Sequence, residues 1–212
     1  MEGLKMIKRY SLMNRTTMNP TNITGNNFDK LFEYCFETCD IVSFRDATFG
    51  AGKNFKFLKA IEEFRMCTIQ TNRWYGLDFS NYSSTEDWEE LNLFSIVYFY
   101  RTEKLLKKTL SEYINNLFYT NCAPYRELKY RDFSILEDMC FFRENKLLLG
   151  TLSHEHMCEV YPQSNEDVTL FKELLKGEED EFKEVSNGNP CIDLSIFQKG
   201  RLENEMLFAS KI

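Results

Sequence analysis

The sequence predicts an α+β fold, a single domain in which three to four helices pack on a mixed, largely antiparallel sheet. Two observations lead to this class. Segments of alternating or continuous apolar residues, typical of strands, occur in irregular order with segments of helical period. No internal repeat, heptad series or low-complexity tract is present, which excludes solenoids and coiled coils. We expect residues 1–177 to form the globular domain and residues 178–212 to form an acidic loop and C-terminal appendage packed on it.

The N-terminal elements are predicted from the spacing of their apolar residues. The alternation between Leu4 and Leu12 indicates a half-buried strand. Asn27 is expected to cap the first helix, whose apolar residues recur with helical period: Phe28, Leu31, Phe32, Cys35, Phe36 and Cys39. A short strand from Ile41 to Phe44 follows. A second helix, carrying Phe57, Leu58, Ile61 and Phe64, then leads into a strand around residues 66–71.

The middle of the chain contains its most apolar strand. Residues 93–100 are almost wholly apolar and aromatic, which predicts a strand in the middle of the sheet. We expect Thr102 to cap the third helix, whose apolar residues are Leu106, Leu110, Tyr113, Ile114 and Leu117.

A hairpin and a fourth helix complete the predicted domain. Residues 139–142 and 147–152 are expected to pair, with Gly150 at a bulge or a close approach of two backbones. Ser164 followed by Asp167 matches the spacing of a capping box, in which each side chain bonds the backbone N–H of the other residue. Gly177 is expected to end that helix.

Composition narrows the classes of partner and compartment. Lys and Arg number 26 against 33 Asp and Glu, and the net charge of −7 argues against nucleic acid or an anionic membrane as partner. The chain has no apolar run long enough to span a bilayer, and because its first residues become polar too soon for the apolar core of a signal peptide, none is expected. Its 7 Cys form no Cys-x-x-Cys pair, which favours reduced thiols in a cytoplasm.

One segment concentrates the side chains that bind metals. His154, His156 and Cys158 alternate with other residues, so on a strand they would share one face. Two imidazoles and a thiolate could begin a zinc site that takes a fourth ligand from elsewhere. The alternative is a surface strand whose imidazoles bond neighbouring carboxylates. No cofactor is expected, with zinc as the exception to test.

Other catalytic patterns are incomplete. Residues 50–54 (Gly-Ala-Gly-Lys-Asn) resemble part of a phosphate-binding loop, but Ala47 stands where the first glycine is needed and Asn54 where Ser or Thr holds magnesium. A thiol nucleophile such as Cys140 would require His154 or His156 as its base. An enzyme is therefore not the favoured class.

Large aromatic residues form the candidate binding surface. Trp74 and Tyr75 lie beside Arg73, and Trp88 lies in an acidic stretch after them. Trp, Tyr and Arg are enriched at the centres of protein interfaces. Core packing is the competing interpretation, because most of the aromatic residues must be buried.

These observations favour a non-catalytic intracellular protein that masks a protein partner with a basic surface, as immunity proteins and phage inhibitors do. The alternative is a small enzyme or metal-binding protein centred on His154, His156 and Cys158. A third class is a small-ligand or nucleotide-binding module. The heavy use of Phe, Tyr, Asn, Lys and Ile indicates an AT-rich genome, such as that of a low-GC bacterium or its phage. The oligomeric state stays open.

Overall fold

A computed structural model describes residues 8–13, 22–46, 56–71, 95–118, 136–144, 146–153, 157–175 and 183–187. Within these ranges the chain forms eight strands and four α-helices, which confirms the predicted α+β single domain. The strands are β1 (Lys8–Met13), β2 (Ile41–Asp46), β3 (Arg65–Thr71), β4 (Ser95–Arg101), β5 (Leu136–Arg143), β6 (Lys146–Leu152), β7 (Met157–Val160) and β8 (Lys183–Asn187). The helices are α1 (Gly25–Thr38), α2 (Lys56–Ile61), α3 (Lys104–Ser111) and α4 (Asn165–Leu174), and a 3-10 turn (Glu62–Phe64) joins α2 to β3.

The strands form one sheet in the order β3-β4-β2-β5-β6-β7-β1-β8. Every described neighbouring pair is antiparallel, in agreement with the predicted largely antiparallel sheet, and no parallel pair occurs among the described strands. The prediction that β4 lies in the middle is wrong, because β4 is second from the β3 edge. An apolar strand needs both of its faces buried. Phe99 and Tyr100 of β4, which lie on opposite faces of the sheet, are both buried, so burial on both faces reaches this outer strand. The segment predicted to be an appendage contributes β8, which pairs with β1.

The capping box of α4 is present as predicted, but the caps predicted for α1 and α3 are wrong. α1 begins at Gly25, with Thr24 rather than Asn27 at the N-cap. Gly25 has a φ of 58°, a conformation that glycine adopts without steric cost, so the chain turns into the helix earlier than the apolar pattern indicates. Glu103 occupies the N-cap of α3, because the hydroxyl of Thr102 instead donates to the carbonyl of Cys39.

The hairpin of β5 and β6 is confirmed, but the irregularity in their pairing lies between Phe141 and Phe142 rather than at Gly150. Gly150 is paired with Cys140 on one side and with Glu159 on the other. The sheet therefore continues through this glycine without a break.

The four described helices pack on one face of the sheet. Phe28 of α1, Leu106 of α3 and Phe171 of α4 join the strand residues of that face in one large apolar core. A second cluster of buried apolar residues lies on the opposite face and contains Phe99, Cys140, Phe142, Leu147 and Tyr161. No described helix contributes to this second cluster. Among the described helices, none is long and apolar enough to cross a membrane.

Antiparallel pairing gives the sheet two distinct ends. The lower end contains Ile41, Arg101 and Arg143, and the connections between neighbouring elements there are short. The N–H of Asp40 donates to the carbonyl of Phe142 at 2.9 Å, and the N–H of Thr102 donates to the carbonyl of Asp40 at 3.1 Å. The upper end contains the opposite strand ends: Met13, Asp46, Thr71, Ser95, Leu136, Leu152, Met157 and Lys183.

Candidate functional site at the upper end of the sheet

Most of the side chains singled out in the sequence lie outside the described residues: Arg73, Trp74, Tyr75, Trp88, His154 and His156. The described residues nevertheless show where their segments join the sheet. Residues 72–94 connect Thr71 of β3 to Ser95 of β4, and residues 154–156 connect Ser153 to Met157 of β7. All four of these attachment points lie at the upper end. Because β2 and β5 separate β4 from β6, the two attachments are about 14 Å apart at ordinary strand spacing.

A buried ionic cluster, the Arg45 cluster, occupies the strands between these attachments. It consists of Arg45 on β2, Glu137 and Asp138 on β5, and Ser153 after β6. The Nε of Arg45 donates to Oδ2 of Asp138 at 2.6 Å, and a terminal nitrogen of the same guanidinium donates to Glu137. The side chains of Arg45 and Asp138 are 8% and 0% exposed. Buried charges of this kind are tolerated only when they are paired and hydrogen-bonded.

A β-bulge brings both carboxylates of the cluster to the same guanidinium. The register between β2 and β5 shifts between Ser43 and Arg45. Asp138 has a φ of 56°, which places this non-glycine residue in the left-handed region. Aspartate tolerates that region better than most side chains, and an extra residue in one strand redirects the side chains beside it. The bulge therefore allows consecutive acidic residues of β5 to bind Arg45.

Asp138 also forms a reciprocal pair with Ser153. The N–H of Ser153 donates to Oδ1 of Asp138 at 2.7 Å, and the N–H of Asp138 donates to Oγ of Ser153 at 3.0 Å. Both residues are fully buried. The carboxylate thus links β2, β5 and the residue immediately before His154. The sequence analysis missed this link, because no local spacing signals a contact between residues on different strands.

Asp46, at the upper end of β2, is bonded by Tyr98 from the middle of β4. The hydroxyl of Tyr98 donates to Oδ2 of Asp46 at 2.9 Å. Burial, followed by the neighbouring charge of Asp46, raises the pKa of Tyr98 well above its ordinary value. Tyr98 therefore stays protonated and remains a hydrogen-bond donor. Polar contacts thus connect the middle of β4 with the upper end of β2, and β2 with β5.

The thiols predicted to take part in a site are buried in the protein interior. Cys158 lies in the large apolar core on the helical face, and Cys140 lies in the cluster on the opposite face. Burial and then the charge of Asp138 raise the pKa of Cys140 to about 12. Burial and then the charge of Glu159 raise the pKa of Cys158 well above its usual range. Both effects disfavour the thiolate, which is the form that attacks substrates and binds metals.

The described residues contain no group of three His, Cys, Asp or Glu side chains arranged to hold a metal ion. Of the predicted zinc ligands, Cys158 lies within the described residues, whereas His154 and His156 lie outside them. The predicted zinc site therefore stays a prediction. The carboxylate of Asp138 accepts one hydrogen bond from Arg45 of β2 and one from the N–H of Ser153, which follows β6.

No protein family model matches this chain, and no curated protein or solved structure matches it either. The functional argument therefore depends on the residues and their placement.

Proposed function

We propose that this chain is a non-catalytic protein that binds and masks a protein partner through the upper end of its sheet, in the manner of an immunity protein or a phage inhibitor. The observation that carries the proposal is the difference between the two ends. At the lower end, successive elements are joined by short connections, such as residues 39–40 and 102–103. The upper end receives longer stretches of chain, including residues 72–94 with their aromatic side chains. Binding residues are commonly carried by such connections on a rigid scaffold.

The buried contacts beneath these stretches support the proposal. Arg45, Asp138 and Ser153 bond one another across β2, β5 and the end of β6. Tyr98 bonds Asp46 across β4 and β2. Association costs less when the binding surface is already ordered, because fewer side chains lose their freedom on contact.

We propose that the partner presents a basic surface to this chain. The chain carries a net charge of −7, and opposite charges speed the encounter of two proteins. The segment 72–94 includes Glu86, Asp87, Glu89 and Glu90 beside Trp88. Binding is therefore expected to weaken as salt is raised, since salt screens exposed charges.

We also propose that the protein works in a reducing compartment such as the cytoplasm. The five described cysteines are free thiols and all are buried: Cys35, Cys39, Cys67, Cys140 and Cys158. Their burial also speaks against the alternative of an enzyme with a thiol nucleophile, because the two candidate thiols have raised pKa values.

The proposal is tested with the full chain as bait and Trp74→Ala as the variant. Proteins captured from lysate of the source cells are identified, and the affinity of the captured partner is then measured with purified components. If Trp74 anchors the partner, its truncation weakens binding by about 2 kcal/mol or more, roughly thirtyfold, without changing the melting temperature.

Leu105→Ala is the matched control. Leu105 is a large apolar residue on α3 that is 56% exposed, and it lies close to the lower end of the sheet. Its truncation should leave binding unchanged. Equal losses of affinity in both variants, or an early-melting Trp74→Ala protein that still binds its partner, would contradict the proposal.

A further inference from the structure

The connection between β6 and β7 is anchored at both of its ends. At its start, Asp138 holds Ser153 by two hydrogen bonds in opposite directions. At its other end, Met157 is paired with Leu152 of β6 and with Met13 of β1. Only residues 154–156 separate these anchors, and they include both histidines of the chain.

The anchor at Ser153 is tertiary, and it depends on the bulge in β5. Asp138 reaches Ser153 from a backbone conformation in the left-handed region, and Oδ2 of the same carboxylate is held by Nε of Arg45 at 2.6 Å. A non-glycine residue persists in that region when surrounding contacts favour it. For Asp138 these contacts include the two hydrogen bonds with Ser153, the residue immediately before His154.

We propose that Asp138 is a positioning residue, which fixes the start of the histidine-bearing connection relative to β2 and β5. A carboxylate held on both oxygens by buried donors is a stiff support, because movement of either partner would leave a charged group unsatisfied. The inference goes beyond the proposed function, since it concerns the placement of one connection and needs no partner.

The test replaces Asp138 with glycine. Glycine adopts a φ of 56° without strain, so Asp138→Gly removes the carboxylate while allowing the bulge to remain. Two readouts by nuclear magnetic resonance are used. The first is hydrogen exchange of the Ser153 amide, and the second is the position of the two imidazole signals, which are unambiguous because the chain has only 2 His.

Asp167→Ala is the matched control, because Asp167 is also fully buried and also pairs reciprocally with a serine, but at the lower end. In Asp138→Gly we expect the Ser153 amide to lose its protection and both imidazole signals to shift or broaden. In Asp167→Ala the imidazole signals should stay in place, while protection is lost at Gln163 and Ser164, whose amides Asp167 binds.

Two results overturn the inference. One is a folded Asp138→Gly protein whose imidazole signals do not move, and the other is an equal response in Asp167→Ala. If Asp138→Gly does not fold, Asp138→Asn takes its place, because asparagine also tolerates the left-handed region but keeps only one oxygen to accept from Ser153 and Arg45. The Ser153 amide should lose protection and the imidazole signals should shift, and no change in either readout in that folded variant would refute the role of Asp138.

Discussion

The two ends of the sheet use the same pair of residues in different settings. At the lower end, the N–H of Asp167 donates to Oγ of Ser164 at 3.1 Å, and the N–H of Ser164 donates to Oδ2 of Asp167 at 3.0 Å. At the upper end, Asp138 and Ser153 exchange the equivalent bonds. Each aspartate also binds an arginine. The lower pair lies within one helical turn, whereas the upper pair joins β5 to the residue that follows β6.

The lower pair gathers more donors around its carboxylate. Both terminal nitrogens of Arg143 donate to Asp167 at 3.0–3.1 Å, and the hydroxyl of Tyr34 and the N–H of Gln163 donate to it as well. Nε of Arg143 donates to the carbonyl of Thr38 at 3.0 Å. One carboxylate therefore fastens α1, β5 and α4 together at this end.

These contacts also shift the pKa values of Asp167 and Tyr34. Burial alone would raise the pKa of Asp167, but hydrogen bonds from Arg143, Tyr34 and Gln163 lower it below its ordinary value of 3.8. Burial and then the hydrogen bond to Asp167 raise the pKa of Tyr34 to about 12. Charge and hydrogen bonding thus outweigh burial at the carboxylate, and the neighbouring phenol stays protonated. The comparison shows that Asp167, whose role in a capping box follows from local sequence, also binds residues from other elements of the fold.

The largest effect is expected from Arg45→Ala. It removes the guanidinium from two buried carboxylates, Asp138 and Glu137, and we expect a loss of about 3–5 kcal/mol in the free energy of unfolding. Arg143→Ala should cost less, because Asp167 keeps its bonds from Tyr34 and two backbone amides and because Arg143 is more exposed. Chemical denaturation measures both losses, and a larger loss in Arg143→Ala would reverse the comparison.

Asp167→Asn should lower stability by about 2–3 kcal/mol at neutral pH, because hydrogen bonds to a charged group are lost. The folded-state pKa of Asp167 is lowered, so its contribution is fully present above the unfolded value near 3.8 and disappears as pH falls through the folded pKa. The unfolding free energies of wild type and variant should therefore converge in acid. A constant difference between them down to the lowest pH at which both fold would show that the charge of Asp167 is not the cause.

The smallest effects are expected from the two serines. Ser153→Ala leaves the buried N–H of Asp138 without its acceptor, and we expect a loss of about 1–3 kcal/mol in unfolding free energy. Ser164→Ala should cost about 1 kcal/mol, the ordinary value for an N-cap, because Ser164 is exposed and water can replace its hydroxyl. Thermal and chemical unfolding of both variants would check the order, and a costlier Ser164→Ala would break it.

The lower end was more predictable than the upper end, for a physical reason. The capping box of Ser164 and Asp167 follows from a spacing of three residues, which helix geometry turns into contact. The period of Phe28 to Phe36 likewise predicted α1, because a helix buries one face. The caps at Asn27 and Thr102 were predicted wrongly, since the φ of Gly25 and the tertiary bond from Thr102 to Cys39 decided them.

The sequence by itself determined that this protein is a single α+β domain with a helix-covered sheet, because apolar periodicity is a local property that survives in any arrangement of the elements. Only the tertiary structure decided that the sheet is antiparallel throughout its described strands, that β8 joins it, and that Arg45, Asp138 and Ser153 meet. Those contacts join residues far apart in the chain. The bulge between β2 and β5 that accompanies them could not be predicted from the residue pattern. The physical reason is that strand order and register depend on packing between segments, which local spacing does not encode.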